Sequence, residues 1–193
     1  MYCFRQIFPA LLLLLTGTFL TARGQSPFET STLGAGFSTH LTDSELTEYW
    51  SRGTGFAVWW RTPFYLGELE LHAARLPYIS KEPEVQPGLT NIQTSMTWGI
   101  PVRIGSRITL FGGILIGNSF FYQTGKGPFE YPESEFSAGF SGRLTLRLTD
   151  RTTLQARLQQ TRIYTYHRID DRRLTVGLEY RFDTPGWLKS FLR

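Results

Sequence analysis

Three histidines, His40, His72 and His167, are the side chains best suited to acid–base or metal chemistry in this chain of 193 residues. No His-x-Ser pair occurs in a strand-like segment, so a nucleophile with its base is missing. No spacing places two of the histidines on one face within reach of a shared metal ion. The sequence therefore predicts no catalytic residue, no metal site and no cofactor.

The lone cysteine, Cys3, belongs to an N-terminal segment that has the pattern of an export signal. Arg5 supplies the positive charge, residues 7–20 form the apolar run, and Ala22 and Gly24 precede a cleavage point ahead of Gln25. An uncleaved membrane anchor is the alternative. We predict a signal peptide over 1–24, which leaves a mature chain without thiol catalysis, disulfides or cysteine metal sites.

Charge excludes a nucleic-acid partner. Without Arg5 and Arg23, the rest of the chain carries 18 basic and 16 acidic residues. The basic residues are spread through alternating segments and form no Lys/Arg-rich run of the kind that follows a phosphate backbone.

From residue 31 onward the pattern has period two, which indicates strands rather than helices. Eight segments each combine an apolar face with a polar one. The polar faces hold Gly, Ser, Thr, Gln, Glu and Arg, with His40 and His72 among them. The apolar faces include Leu33, Ala35, Phe37 and Leu41; Phe56, Val58 and Trp60; Leu69, Leu71 and Ala73; Ile92, Met96, Trp98 and Ile100; Ile108, Leu110, Ile114 and Ile116; Phe136, Ala138, Phe140, Leu144, Leu146 and Leu148; Leu154, Ala156 and Leu158; and Leu174, Val176, Leu178, Tyr180 and Phe182.

The connections alternate in length. Short turns are expected near Pro63, at "RIGS" and at "TDR", and longer loops at "TDSELTEYWSR", "YISKEPEVQPGL" and "QTGKGPFEYPESE". A connection of moderate length, "TYHRIDD", precedes the last strand. This alternation is typical of an up-and-down antiparallel meander, and eight such strands suggest a closed barrel.

Periodicity alone leaves two barrels open: a membrane barrel with its apolar face outward, and an exported soluble barrel with its apolar face inward. The membrane barrel is favoured because the polar faces carry almost no lysine, although water-exposed sheets are usually rich in it. Aromatic residues also gather near the predicted strand ends, as an interfacial girdle would. They are Trp59, Trp60, Phe64, Tyr65, Trp98, Phe120, Phe121, Tyr122, Tyr164, Tyr166, Tyr180 and Phe182.

The export signal, the eight alternating strands and the final strand "LTVGLEYRF" together resemble the small OmpA-like/OmpX-like outer-membrane β-barrels of Gram-negative bacteria. The resemblance covers residues 31–182. It implies an eight-stranded antiparallel transmembrane β-barrel of residues 25–182 in the outer membrane, in contact with its lipid and lipopolysaccharide. Gly177, Tyr180 and Phe182 match the C-terminal signal that barrel-assembly machinery recognises in that family.

The last eleven residues depart from the family, in which the aromatic residue often ends the chain. In 183–193, Trp187, Leu188, Phe191 and Leu192 have helical spacing, with Lys189 and Arg193 opposite. A short interfacial helix and a frayed terminus are both open.

With the apolar face toward lipid, the opposite face fills a lumen too narrow for anything but packed side chains. Charges there must pair, because an unpaired buried charge is costly. Hairpin geometry places Arg61 opposite Glu68 and Arg157 opposite Glu179, and leaves positive charge for water, phosphate groups or Glu70. The predicted lumen network comprises Arg61, Glu68, Glu70, His72, Arg143, Arg147, Arg157, Glu179 and Arg181.

These features predict a non-catalytic barrel with a structural or surface-interaction role and a lumen closed by salt-bridged side chains. A small channel or transporter for a hydrophobic or small polar solute is the first alternative. A lipid A-modifying enzyme is the second, because some barrels of this family carry a Ser-His-acid arrangement. The acidic loops are either simply solvated or a surface for an extracellular protein partner or for divalent cations that bridge lipopolysaccharide phosphates.

Overall fold

The structure is a computed structural model that describes residues 27–41, 45–124, 133–166 and 168–192. The predicted signal peptide, Cys3 and His167 lie outside the described residues. Among the described residues, no helix is both long enough and apolar enough to cross a membrane. Within the same ranges, no group of three or more His, Cys, Asp or Glu side chains is arranged to hold a metal ion.

Strands make up most of the described chain, with one 3₁₀ turn at Glu45–Glu48 and one C-terminal helix, α1, at Gly186–Leu192. The strands are β1 (Thr30–His40), β2 (Trp50–Arg52), β3 (Gly55–Phe64), β4 (Gly67–Ser80), β5 (Gly88–Ile104), β6 (Ile108–Thr124), β7 (Glu133–Arg147), β8 (Thr152–Ile163) and β9 (Ile169–Asp183).

Eight of these strands close into a barrel. Each pairs antiparallel with its neighbour in the chain, and β9 pairs with β1 to complete the ring. The short strand β2 continues β3, since both pair with β4. The register shifts by one residue between the Arg52↔Tyr78 and Phe56↔Arg75 pairs, which marks a β-bulge. The predicted eight-stranded up-and-down barrel is confirmed.

The barrel has two distinct ends. At the end that we call the terminal end, β1 begins, β9 stops and the connections are short: 65–66, 105–107 and 148–151. At the opposite end, the loop end, strands extend into segments that the sequence pattern predicts to be loops. For example, β4 runs on to Ser80 and β9 already begins at Ile169. Backbone pairing with a neighbouring strand continues there, although the apolar alternation has ended.

Every barrel strand presents apolar side chains outward, as the alternation predicts, although Trp59, Leu76 and Leu115 are buried inside. Phe37 and Phe140 are 70% and 69% exposed, and Leu33, Leu158 and Leu178 are exposed as well. The intervening positions are buried and mostly polar. A soluble barrel would have the opposite arrangement, so the exposed apolar belt favours lipid as the surrounding medium.

The chain after β9 is fastened to the start of β1 before it enters α1. Ser31 Oγ and Thr184 Oγ1 are 2.8 Å apart, and the Thr184 amide donates to the Glu29 carbonyl at 3.1 Å. Beyond this point α1 is a real helix, as the spacing of its apolar residues predicts. Trp187 and Phe191 project from it and are exposed.

Candidate functional site

Six charged side chains from five strands meet in the lumen, and we call them the lower ion cluster: Arg61, Glu68, Glu70, Arg143, Arg157 and Glu179. β3 and β4 supply three of them, and β7, β8 and β9 supply the others from the facing wall. The six side chains all point into the lumen because each of these residues occupies an inward position in the alternation of its strand. Arg157, Glu70 and Glu179 are almost completely buried.

The contacts of the lower ion cluster form a continuous chain across the lumen. Arg61 Nη2 lies 2.5 Å from Glu179 Oε2, and Arg61 Nη1 lies 3.8 Å from Glu68 Oε2. Arg143 binds Glu68 and also donates to Glu70 Oε2 at 2.8 Å. Arg157 donates to the same Glu70 oxygen. Three arginines and three glutamates therefore link the two walls of the barrel with no net formal charge.

Trp59 closes this chain into a circuit. Its Nε1 donates to Glu179 Oε1 at 2.8 Å, and the Arg157 guanidinium carbon lies 5.3 Å from the centroid of its ring. The indole lies against β1, where a Cβ on Gly34 would come within 2.3 Å of its Nε1. The predicted place of Trp59 in the aromatic girdle is wrong, because Trp59 has the inward parity on its strand and is 1% exposed.

Both predicted cross-strand pairs differ in register from the structure. Arg61 faces Glu70, because the turn is Tyr65–Leu66 and Pro63 remains within the strand. Glu68 is the diagonal neighbour of Arg61, which accounts for their 3.8 Å contact. Arg157 faces Thr175 and Glu179 faces Thr153, because the last connection is only 164–168. The partner of Arg157 is Glu70, across the lumen.

A second group lies nearer the loop end and is called the upper ion cluster: His40, Asp171, Arg173 and Gln93. His40 Nδ1 lies 2.7 Å from Asp171 Oδ1, and Arg173 Nε lies 2.6 Å from Asp171 Oδ2. Arg173 also donates to Gln93 Oε1 across the lumen from β9 to β5. The ring of Tyr78 packs against His40, with centroids 4.8 Å apart.

The histidines sit where alternation predicts, in the polar interior, but neither forms a nucleophile–base pair. His40 Nε2 makes no hydrogen bond to any described residue. His72 is buried beside Trp59, with ring centroids 6.4 Å apart, and neither of its nitrogens is hydrogen-bonded within the described ranges. His72 thus lies next to the lower ion cluster without joining its contacts.

Arg147 and Arg181, which also belong to the predicted lumen network, lie nearer the terminal end than the lower ion cluster. Both are exposed and line a cavity of about 670 Å³ that opens at the terminal end. Arg147 donates to the carbonyl of Ser106, and neither arginine forms an ion pair with a described residue. They are inward by parity, but they lie too near the strand ends to reach the cluster.

The three residues of the predicted assembly signal lie on β9. Gly177 pairs with Gly36 on β1 and Gln155 on β8. Tyr180 faces outward, and Phe182 is half-buried near the end of the strand.

The inward positions of Asp171, Arg173 and Trp59 follow from the alternation alone. Asp171 and Arg173 continue the inward series of Thr175 and Glu179 by two more steps. Asp171 was missed because the predicted strand begins after that residue. The cross-lumen partners could not be found in this way, because alternation specifies a face and not the residue opposite.

A closed ring of eight antiparallel strands, apolar outside and ion-paired inside, defines the class: this chain has the fold of the small eight-stranded outer-membrane β-barrels. Searches by sequence match no family model and no curated protein.

Solved structures of that class superpose on nearly their whole length. Neisserial surface protein A (NspA) aligns at a TM-score of 0.55 with 11% identity, covering 82% of this chain and 99% of NspA. Ail, the attachment invasion locus protein of Yersinia pestis, gives 0.50 and 17%, covering 80% and 99%. A major outer membrane protein of Thermus thermophilus gives 0.50 and 9%, covering 79% and 99%. At these identities the likeness concerns the fold.

Proposed function

We propose that this protein is a non-catalytic barrel of the outer membrane that is closed to solutes by the lower ion cluster and presents its loop end to the exterior. The observation that carries the proposal is the circuit of ion pairs that joins opposite walls of the lumen. A conducting pore needs a continuous water-filled path, whereas these side chains contact one another across the barrel. The exposed apolar belt supports location in a lipid bilayer.

Planar-bilayer conductance tests the closed lumen. The purified chain, with its folding verified by a mobility shift on boiling, is expected to give a flat current trace. The triple variant Glu70→Ala, Arg143→Ala, Arg157→Ala removes the side chains that bridge the walls, and it should produce current steps if it folds. Arg162→Ala, whose side chain is exposed outside the lumen, is the matched control and should behave like the parent chain.

Reproducible steps from the unmodified protein would contradict the closed lumen and support the alternative, passage of a small polar solute. Flux of a hydrophobic solute into vesicles is measured in parallel, because an uncharged solute carries no current. A change in lipid A mass on overexpression would support the enzyme alternative, for which the described histidines offer no hydroxyl partner.

For the loop end we propose a partner with a basic surface. Ail has been crystallised in complex with the heparin analogue sucrose octasulfate. Here Glu82, Glu84, Glu133 and Glu135 lie at the loop end, where they could attract a basic surface. Binding to a basic protein surface should weaken when Glu82 and Glu84 are both changed to Gln.

We propose that Gly177, Tyr180 and Phe182 form the recognition signal for the barrel-assembly machinery, and that α1 lies in the interfacial layer. The exposed Trp187 and Phe191 side chains support the second statement, because aromatic side chains favour that layer. Brominated lipids should quench tryptophan fluorescence more strongly in the parent chain than in Trp187→Phe.

A further inference from the structure

The cavity at the terminal end, which we call the vestibule, is strongly basic. Of the described residues that line its volume of about 670 Å³, five are arginines and only Glu68 is acidic. Glu68 and Arg61 already belong to the lower ion cluster, which forms the inner limit of the cavity. The remaining arginines, Arg103, Arg107, Arg147 and Arg181, form no ion pair with any described residue.

Three of these arginines lie together on one part of the vestibule rim, and Arg181 lies on another. Arg103 is near the end of β5, Arg107 lies in the turn between β5 and β6, Arg147 ends β7, and Arg181 is on β9. The amide of Arg147 donates to the carbonyl of Arg107 at 2.8 Å, which fixes the end of β7 beside that turn. Several arginines that line one cavity suit an anion with several oxygen atoms, because each guanidinium group can donate two parallel hydrogen bonds.

Part of the lip of the vestibule is apolar. Tyr65 and Leu66 form the exposed turn between β3 and β4, and Val102 and Ile108 add exposed aliphatic groups. An arginine-rich cavity beside an apolar lip matches an amphiphilic anion: the phosphate could enter the vestibule while the hydrocarbon stays on the outer wall of the barrel.

We propose that the vestibule binds phosphate groups, and that the group belongs either to an anionic phospholipid of the adjacent leaflet or to a free phosphate. Arg103, Arg107, Arg147 and Arg181 are the binding residues. The site is separate from the closed lumen, because the lower ion cluster lies between the vestibule and the rest of the interior.

Calorimetric titration of the full chain in non-ionic detergent tests this, at a constant ionic strength of about 0.15 M to hold screening fixed. One arm uses sodium phosphate, and the other uses dihexanoyl-phosphatidylglycerol below its micelle-forming concentration. We expect saturable binding that weakens about tenfold in Arg147→Gln, Arg181→Gln, because two charge-assisted contacts are lost. The control Arg162→Gln, Arg172→Gln removes the same charge at the loop end and should bind as the parent does.

Tighter binding of the lipid than of phosphate identifies a headgroup as the ligand, and equal binding identifies free phosphate. Absence of saturable binding in both arms would overturn the proposal, as would equal weakening in the control. If the Arg147, Arg181 variant shows no mobility shift on boiling, the exposed pair Arg103→Gln, Arg107→Gln replaces it with the same expectation. Neither arm depends on conductance, so the outcome is independent of whether the lumen is closed.

Discussion

At the scale of single residues, Glu70 is the centre of the lower ion cluster. One of its oxygens, Oε2, accepts hydrogen bonds from both Arg143 and Arg157, and the residue is 1% exposed. Removing it would leave two arginines buried with too few acceptors. The cost of such a change comes mainly from the partners that remain, since unpaired buried charges have no water to solvate them.

We therefore predict that Glu70→Ala lowers the free energy of unfolding by about 3–5 kcal/mol. The measurement is a denaturant titration of the chain in lipid vesicles, followed by gel mobility without boiling. Glu84→Ala, in an exposed loop, should change stability by less than about 0.5 kcal/mol. Equal, small effects of the two changes would show that the cluster is hydrated rather than sealed.

At the scale of elements, Trp59 of β3 packs against Gly34 of β1 and Gly177 of β9. On β1, Gly34 and Gly36 differ in what an added Cβ would meet. The atoms nearest to a Cβ on Gly34 would all belong to the indole, the first at 2.3 Å, whereas a Cβ on Gly36 would meet the Val176 carbonyl oxygen at 2.3 Å. The two glycines are therefore needed for different reasons. One makes room for a side chain, and the other allows close approach of a neighbouring strand.

This difference predicts a specific non-additivity. Gly34→Ala should cost about 1–3 kcal/mol in the parent chain, as overpacking does. In a Trp59→Ala background the same change should cost less than about 0.5 kcal/mol, because the clashing ring is gone. Gly36→Ala is the control, and its cost should persist in both backgrounds. The same denaturant titration measures the cost of each glycine change in both backgrounds. Equal costs of Gly34→Ala in the two backgrounds would contradict the contact between Gly34 and the indole.

The part of the C-terminal segment that is fastened to the barrel extends to Thr184 and does not stop at Phe182. Thr184 is buried and bonded to Ser31 and Glu29, whereas most of the residues after it are exposed. A chain that ends at Thr184 should keep the stability of the parent. A chain that ends at Phe182 should lose about 1–3 kcal/mol with its two hydrogen bonds. Denaturant titration of both truncated chains tests this, and equal stabilities would show that Thr184 contributes nothing.

At the scale of the whole molecule, the belt of outward apolar residues determines which solvent the barrel needs. Phe140 lies near the middle of β7 and is among the most exposed apolar side chains. Phe140→Lys should destabilise the folded state in lipid by about 2–4 kcal/mol, since a charge at mid-bilayer depth is costly. Leu148→Lys, in a turn at the terminal end, should cost about 0–1 kcal/mol.

Folding yield into vesicles, read from the mobility shift on boiling, measures both changes. A soluble barrel would give the opposite result, because Phe140→Lys would remove an exposed apolar group and improve recovery without lipid. That outcome would contradict the membrane location.

The sequence by itself determined the strands, their number and the face that each residue occupies. Leu178 and Glu179 show why: alternation with period two is a local property, and eight such strands with one apolar face each favour a closed ring. The sequence also placed His40, His72 and the six charged residues of the lower ion cluster in the interior.

Only the tertiary structure decided which of those residues touch. Arg157 and Glu70 are far apart in the chain and lie on opposite sides of the ring, so their contact depends on the register of every intervening pair and on the width of the lumen. An error of two residues at the turn after Phe64 was enough to place Glu68, instead of Glu70, directly opposite Arg61. The same geometry leaves Arg147 and Arg181 outside the lower ion cluster. Alternation predicts the face of a residue, but its position along the barrel axis depends on the lengths of all the strands and turns.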